Sequence, residues 1–141
     1  MNICGFMIPA ALAYRIEKHA SSRVGSWPLR HKLDSYGNFL ETEIGEIYSL
    51  HEIEKVNEQL SMNFPYEGPN EFAVAPGAIP DPKDFSSIVN FAIAGDGSPF
   101  CLDFRGGPEP SVIWWDDTYW RRVAPNAASF LALFELSEPS S

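Results

Sequence analysis

Between Ile88 and Leu136, short apolar runs alternate with glycine-bearing turns. Ile88 to Ala94, Phe100 to Arg105, Val112 to Asp117 and Tyr119 to Val123 are rich in β-branched and aromatic residues. Gly95-Asp96-Gly97-Ser98-Pro99 and Gly106-Gly107-Pro108 separate the first three. Such runs on either side of glycine turns predict antiparallel hairpins, so this stretch reads as a β-meander. The spacing then changes. Ala127, Phe130, Leu131 and Phe134 form the apolar stripe of a closing helix that stops before Pro139. Within the meander Phe100, Leu102 and Phe104 alternate with Cys101, Asp103 and Arg105, so one face belongs to the core and the other can carry a charged pair. Trp114 and Trp115 must point to opposite faces, and at least one of them lies outside the main core or under another element.

Upstream, Ile8, Leu12 and Ile16 recur at intervals of four, which predicts a short amphipathic helix from Pro9 to His19 with proline near its first turn. Ser21 to Pro28 reads as a loop in which Trp27 plugs the core. Phe39 to Tyr48 mixes apolar residues with regularly placed glutamates, as a strand with one wet face or a charged edge strand would, and Gly45 marks a bulge. Ser49-Leu50-His51-Glu52 is a capping box, with Tyr48 placed to staple onto Ile53. The helix it opens has Leu50, Ile53, Val56 and Leu60 as its apolar stripe. From Asn63 to Pro82 the density of proline and glycine excludes regular helix or central strand. Phe64, Tyr66, Phe72 and Val74 make a packed crossover the expected form of that segment.

These elements fit one α+β domain over residues 1–141: a mostly antiparallel, twisted sheet flanked by N-terminal helices and a C-terminal helix. Cys4 and Cys101 have no partners at metal spacing, which favours reduced thiols in a cytoplasmic protein. The apolar opening Met1 to Pro9 lacks a basic flank and is broken by proline before it could span a membrane, so it is expected to be a buried segment.

Charge sharpens the picture. The net charge is −9, but residues 1–32 carry five basic residues against Glu17 alone, and the rest carries five basic against eighteen acidic ones. So acidic a body repels phosphate backbones and anionic lipid, which argues against nucleic acid and membrane surfaces as partners and for a basic protein. Plain solubility would also account for it.

Candidate chemistry is sparse. His51-Glu52-Ile53-Glu54-Lys55 starts like a zinc-protease helix but puts lysine where the second histidine must stand. Asp96-Gly97-Ser98 lacks the later ligands of a calcium loop and reads as a hairpin turn. Asp116 and Asp117 could suggest paired glycosidase carboxylates, but adjacent residues on a strand point apart unless the chain turns there. A solvated strand end or an anionic contact patch is the preferred reading. No nucleophile elbow, phosphate loop or Cys-x-x-Cys is present, and His19, His31 and His51 all lie outside the meander. No enzyme, cofactor or metal site is therefore expected. Trp114, Trp115, Tyr119 and Trp120 with Arg121 and Arg122 form the best candidate contact surface, although core packing would also explain most of that cluster.

Four segments stand out by their order and spacing: Ile93-Ala94-Gly95-Asp96-Gly97, Phe100 to Asp103, Val112 to Asp117, and Val123-Ala124-Pro125 leading to Ser129-Phe130-Leu131. Ile8-Pro9 opening the first helix and Ile47 to Ile53 opening the second fit the same layout. Together they resemble the SUKH superfamily, which includes the fungal SMI/KNR cell-wall-assembly regulators and many bacterial immunity proteins. The resemblance implies an α+β fold without catalytic residues, whose bacterial members neutralise a cognate toxin, often a nuclease, by binding it. On that footing a basic toxin domain would meet Asp96, Asp103, Asp116, Asp117, Tyr119, Trp120 and Arg121. A regulatory scaffold without a toxin partner is the alternative that the fungal relatives imply.

Overall fold

The computed structural model describes residues 1–19, 27–69 and 74–136. Six strands form one antiparallel sheet in chain order: β3 (Trp27–Pro28), β4 (Glu43–Ile47), β5 (Ile88–Ala94), β6 (Pro99–Asp103), β7 (Ser111–Asp116) and β8 (Tyr119–Ala124). The predicted meander is β5 to β8. A separate ribbon pairs β1 (Asn2–Ile3) with β2 (Phe6–Met7) through Cys4 and Gly5, whose φ values of 53° and 86° are the positive pair that a type I′ turn needs. The helices are α1 (Ala10–His19), α2 (Leu50–Asn57), α3 (Leu60–Asn63) and α4 (Ala127–Ala132). The fold is α+β, as the sequence predicts.

Each face of the sheet has its own core. On one, Ile44, Phe91, Phe100, Leu102 and Trp114 pack against Leu12 and Ile16 of α1, Ile53 of α2 and Phe130 of α4. Phe100 is central there, with ring centroids 5.7 Å from Trp114, 5.1 Å from Phe130 and 6.2 Å from Phe134. On the other, Ile88, Cys101, Ile113 and Trp120 meet Leu60 and Ile79, with Phe64, Phe85 and Trp115 half-buried around them. Trp114 and Trp115 therefore serve opposite cores, and β6, covered on both sides, is buried at every position. Burial in this second core pushes the Cys101 thiol well above its ordinary pKa, which keeps it protonated and unreactive.

The second core needs a lid, which residues 64–69 and 74–87 supply. Phe64, Ile79 and Phe85 pack inward, whereas Tyr66 and Val74 are exposed and Phe72 lies outside the described residues. The same segment covers the free edge of β8. Ile79 N donates to Trp120 O and Arg122 N donates to Gly77 O, so the edge cannot template another strand. Gly77 has φ 78°, and a Cβ there would sit 3.0 Å from the Arg122 carbonyl oxygen, which leaves room for glycine only.

The capping box forms as read: Glu52 N donates to Ser49 Oγ at 3.3 Å, and Ser49 N donates to Glu52 Oε1 at 3.2 Å. A Ser49→Ala variant should lose about 1 kcal/mol of stability, read from the midpoint of a urea transition. The apolar stripe of α2 is shorter than predicted. Leu50, in the first turn, is exposed, and the helix stops at Asn57. The side chain of Asn57 leaves the helix surface to accept from Asn90 N at 2.9 Å and donate to Asn90 O at 3.0 Å, continuing the hydrogen bonding of β5 beyond the end of β4.

Other boundaries shift for similar reasons. The predicted strand from Phe39 begins only at Glu43, and Gly45 marks the expected irregularity, between Ile44 and Glu46. Trp27 is the core plug expected of it but belongs to β3, not a loop. The opening segment buries Ile3 and Ile8 and exposes Met7, because a two-stranded ribbon can bury only one side. Phe134 lies past the end of α4, in a bridge to Leu29.

Candidate functional site

Antiparallel pairing gathers the β5–β6 turn, the β7–β8 turn and the start of β4 at one end of the sheet. In the first turn Ser98 donates to Asp96 Oδ1 from its backbone N at 3.0 Å and its hydroxyl at 2.6 Å, and Trp114 Nε1 donates to Ser98 Oγ at 2.8 Å. Those bonds from Ser98 hold the Asp96 carboxyl below its ordinary pKa, so it is an oriented, exposed anion. The second turn does reverse the chain, as the paired aspartates would require. Asp117 sits at φ 63°, β8 starts two residues later at Tyr119, and Asp117 is exposed while Asp116 turns inward. At the start of β4 the Glu43 carboxylate lies over Gly95, in space that a side chain there would need.

Asp116 turns inward because of Arg121. The guanidinium donates from Nη1 to Asp116 Oδ2 at 3.2 Å and from Nη2 to Asp34 Oδ2 at 2.9 Å, and also to the Phe39 carbonyl. Tyr119 adds its hydroxyl to Asp116 Oδ2 at 3.2 Å, with its pKa raised first by burial and then by the Asp116 charge, so the phenol stays a donor. Asp34 also closes its own loop. Its Oδ1 accepts from Tyr36 N at 2.8 Å and Asn38 N at 3.0 Å, the bonding that makes aspartate a turn former. This ion-paired loop displays apolar side chains. Leu33 faces Phe39 across an antiparallel bridge, and Leu33, Tyr36 and Phe39 are 46%, 47% and 61% exposed. Sequence reasoning missed the loop, although Asp34-Ser35-Tyr36-Gly37-Asn38 between Leu33 and Phe39 carries a turn signal.

A model of the SMI1 / KNR4 family (SUKH-1) matches residues 27–133. The chain belongs to this family. No curated protein and no solved structure matches it. The SMI1/KNR4 match runs from β3 past the end of α4, so it takes in the whole six-stranded sheet and the ion-paired loop, and leaves the β1–β2 ribbon and α1 outside.

On this SMI1/KNR4 sheet the residues expected to meet a partner are not all brought together. Asp96, Asp116, Asp117, Tyr119 and Arg121 share one end, with Arg121 buried as the internal tie. Trp120 is 1% exposed and belongs to the second core. Asp103 lies at the opposite end, buried, its carboxylate gripped by Arg105 Nε and Nη2, each at 2.9 Å. Its pKa is pushed up by burial, but the hydrogen bonds and charge of Arg105 outweigh that and bring it below the ordinary value. A depressed folded pKa stabilises above the unfolded value and is lost as the pH falls through the folded one. Asp103→Asn should therefore be less stable than wild type at about pH 7, with the gap closing toward about pH 3, as urea titrations at both pH values would show.

Among the described residues, no group of three His, Cys, Asp or Glu side chains is placed to hold a metal ion, and no helix is long and apolar enough to cross a membrane. What this end of the sheet offers is contact: the exposed carboxylates of the two turns, and exposed apolar side chains on a loop anchored through Asp34.

Proposed function

We propose that this SMI1/KNR4 protein is a non-enzymatic binding domain of the immunity type, which neutralises a cognate basic toxin domain, such as a nuclease, by docking onto it. The observation that carries this reading is the loop from Leu33 to Phe39. It exposes apolar side chains on a loop anchored to the sheet by the buried Asp34–Arg121–Asp116 tie, and Asp116 leads directly into the exposed Asp117 of the β7–β8 turn. Surfaces ordered before binding lose less freedom on association, and aromatic anchors supply most of the energy of an interface. The exposed carboxylates would speed encounter with a basic partner and reject acidic ones.

Co-expression with the toxin domain encoded beside its gene should rescue growth, and the purified pair should form a complex. Phe39→Ala with Asp117→Asn, which keeps a residue suited to the left-handed backbone at 117, should weaken that complex by about 100-fold or more at a nearly unchanged unfolding midpoint. No rescue together with no complex would overturn the proposal. So would capture of a cell-wall or signalling factor in the toxin's place, which would assign the chain to the regulatory role.

A further inference from the structure

On the far face of β7, one residue from the Asp116–Asp117 turn, a cavity of about 220 Å³ opens beside Trp115. Its wall is a cluster of three rings. Phe64 lies 5.2 Å from both Trp115 and Trp120, and the two tryptophans are 5.5 Å apart, with every pair tilted by 60–65°. Trp120 is closed off behind the other two, while Trp115 and Phe64 keep part of their surface open. Pro65 and Pro82 stiffen the rim, and Glu67 and Asp81 add carboxylates to it. Among the described residues that line the cavity none is basic. Lys83, the nearest basic residue in sequence, is turned over the Tyr66 ring, 5.4 Å from its centroid.

We propose that this cavity receives one arginine or lysine side chain of the protein partner. The volume is below the roughly 300–1,000 Å³ typical of small-molecule sites, so it suits a single side chain. An aromatic wall attracts a cation through the ring quadrupole, and carboxylates at the mouth select positive charge over an apolar side chain. Trp115 immediately precedes Asp116 in β7, so the cavity opens near the same end of the sheet as the Asp116–Asp117 turn, on the opposite face. The inference rests on the binding-protein reading only for the source of the cation.

The probe is N-acetyl-arginine amide, with N-acetyl-lysine amide as second cation and N-acetyl-citrulline amide as the neutral look-alike. Added to the full chain and followed by the NMR signal of the Trp115 indole N–H, the cations should give saturable shifts in the millimolar range and citrulline none. Glu67→Gln with Asp81→Asn, both changes at the rim, should weaken the arginine response about tenfold and reduce affinity for the toxin domain. Phe64→Leu, which keeps the Trp115 indole as reporter, should abolish the response, and the rim variant decides the matter if Phe64→Leu does not fold. Absence of saturation, or an equal response to citrulline, would overturn the cation site. A toxin complex unaffected by the rim changes would overturn its role in docking. If no toxin complex forms, the functional proposal fails, while the titration still decides whether the cavity binds cations.

Discussion

An Arg121→Met variant should lose about 3–5 kcal/mol of stability, although methionine fills much of the same space. The reason is what it leaves behind. The Asp34 side chain is fully buried, and without Arg121 its Oδ2 has no counter-charge, while Oδ1 keeps only the amides of Tyr36 and Asn38. Breaking a buried ion pair from one side strands the other charge in a medium that solvates it poorly, and that penalty exceeds the net worth of the intact pair. Asp34→Asn in the same background removes the stranded charge and keeps an oxygen for the two amides. The double variant should therefore be more stable than the sum of the single changes predicts, by an interaction of about 1–3 kcal/mol. Urea unfolding of the four proteins measures this directly. Amide exchange at Tyr36 and Asn38 would show whether the loop opens before the sheet does. A single variant within about 0.5 kcal/mol of wild type would mean that the pair is solvated and the loop is held by something else. The consequence for the loop is specific: the tie lies behind Leu33, Tyr36 and Phe39, so its loss should free the backbone that displays them.

The meander was legible because its signals are local. Glycine turns bound runs of β-branched and aromatic residues, Ser49 and Glu52 are three apart, and Arg105, in the turn after β6, is two residues from Asp103 at its end, so each feature is decided within a few residues. The adjacency of Trp114 and Trp115 even implied a second apolar face. What fills that face was not legible, because the lid comes from a proline-rich segment whose packing residues, Phe64, Ile79 and Phe85, follow no period. β3 is two residues long and owes its existence to pairing with β4. The loop from Leu33 to Phe39 depends on Arg121, 87 positions away from Asp34, and no pattern within the loop announces that tie. Tyr119-Trp120-Arg121-Arg122 illustrates the ambiguity of residue type. Tryptophan and arginine dominate contact surfaces, but here the tryptophan is core, one arginine is an internal tie and only Arg122 is exposed.

Trp120 separates these two readings most sharply. If it were a contact residue, Trp120→Ala would fold normally and fail only in the presence of a partner. Buried as it is, the change should instead cost about 3–5 kcal/mol of stability without any partner present. Its indole packs against Trp115 at 5.5 Å, Phe64 at 5.2 Å and Phe85 at 5.9 Å, so truncation empties the centre of the second core. The surrounding rings are held by β7 and by the lid segment, whose Ile79 amide bonds the Trp120 carbonyl, and that backbone bond limits how far the lid can collapse into the void. The unfolding midpoint should accordingly fall by roughly 10 °C or more. Phe39→Ala, at an exposed position, should leave it nearly unchanged. The pair of variants therefore distinguishes core from contact: one should lower stability without a partner, the other should lower affinity at constant stability. A Trp120→Ala protein with a wild-type midpoint would mean that the second core is open and the lid does not pack, and with the lid would go the aromatic wall proposed to receive a basic side chain.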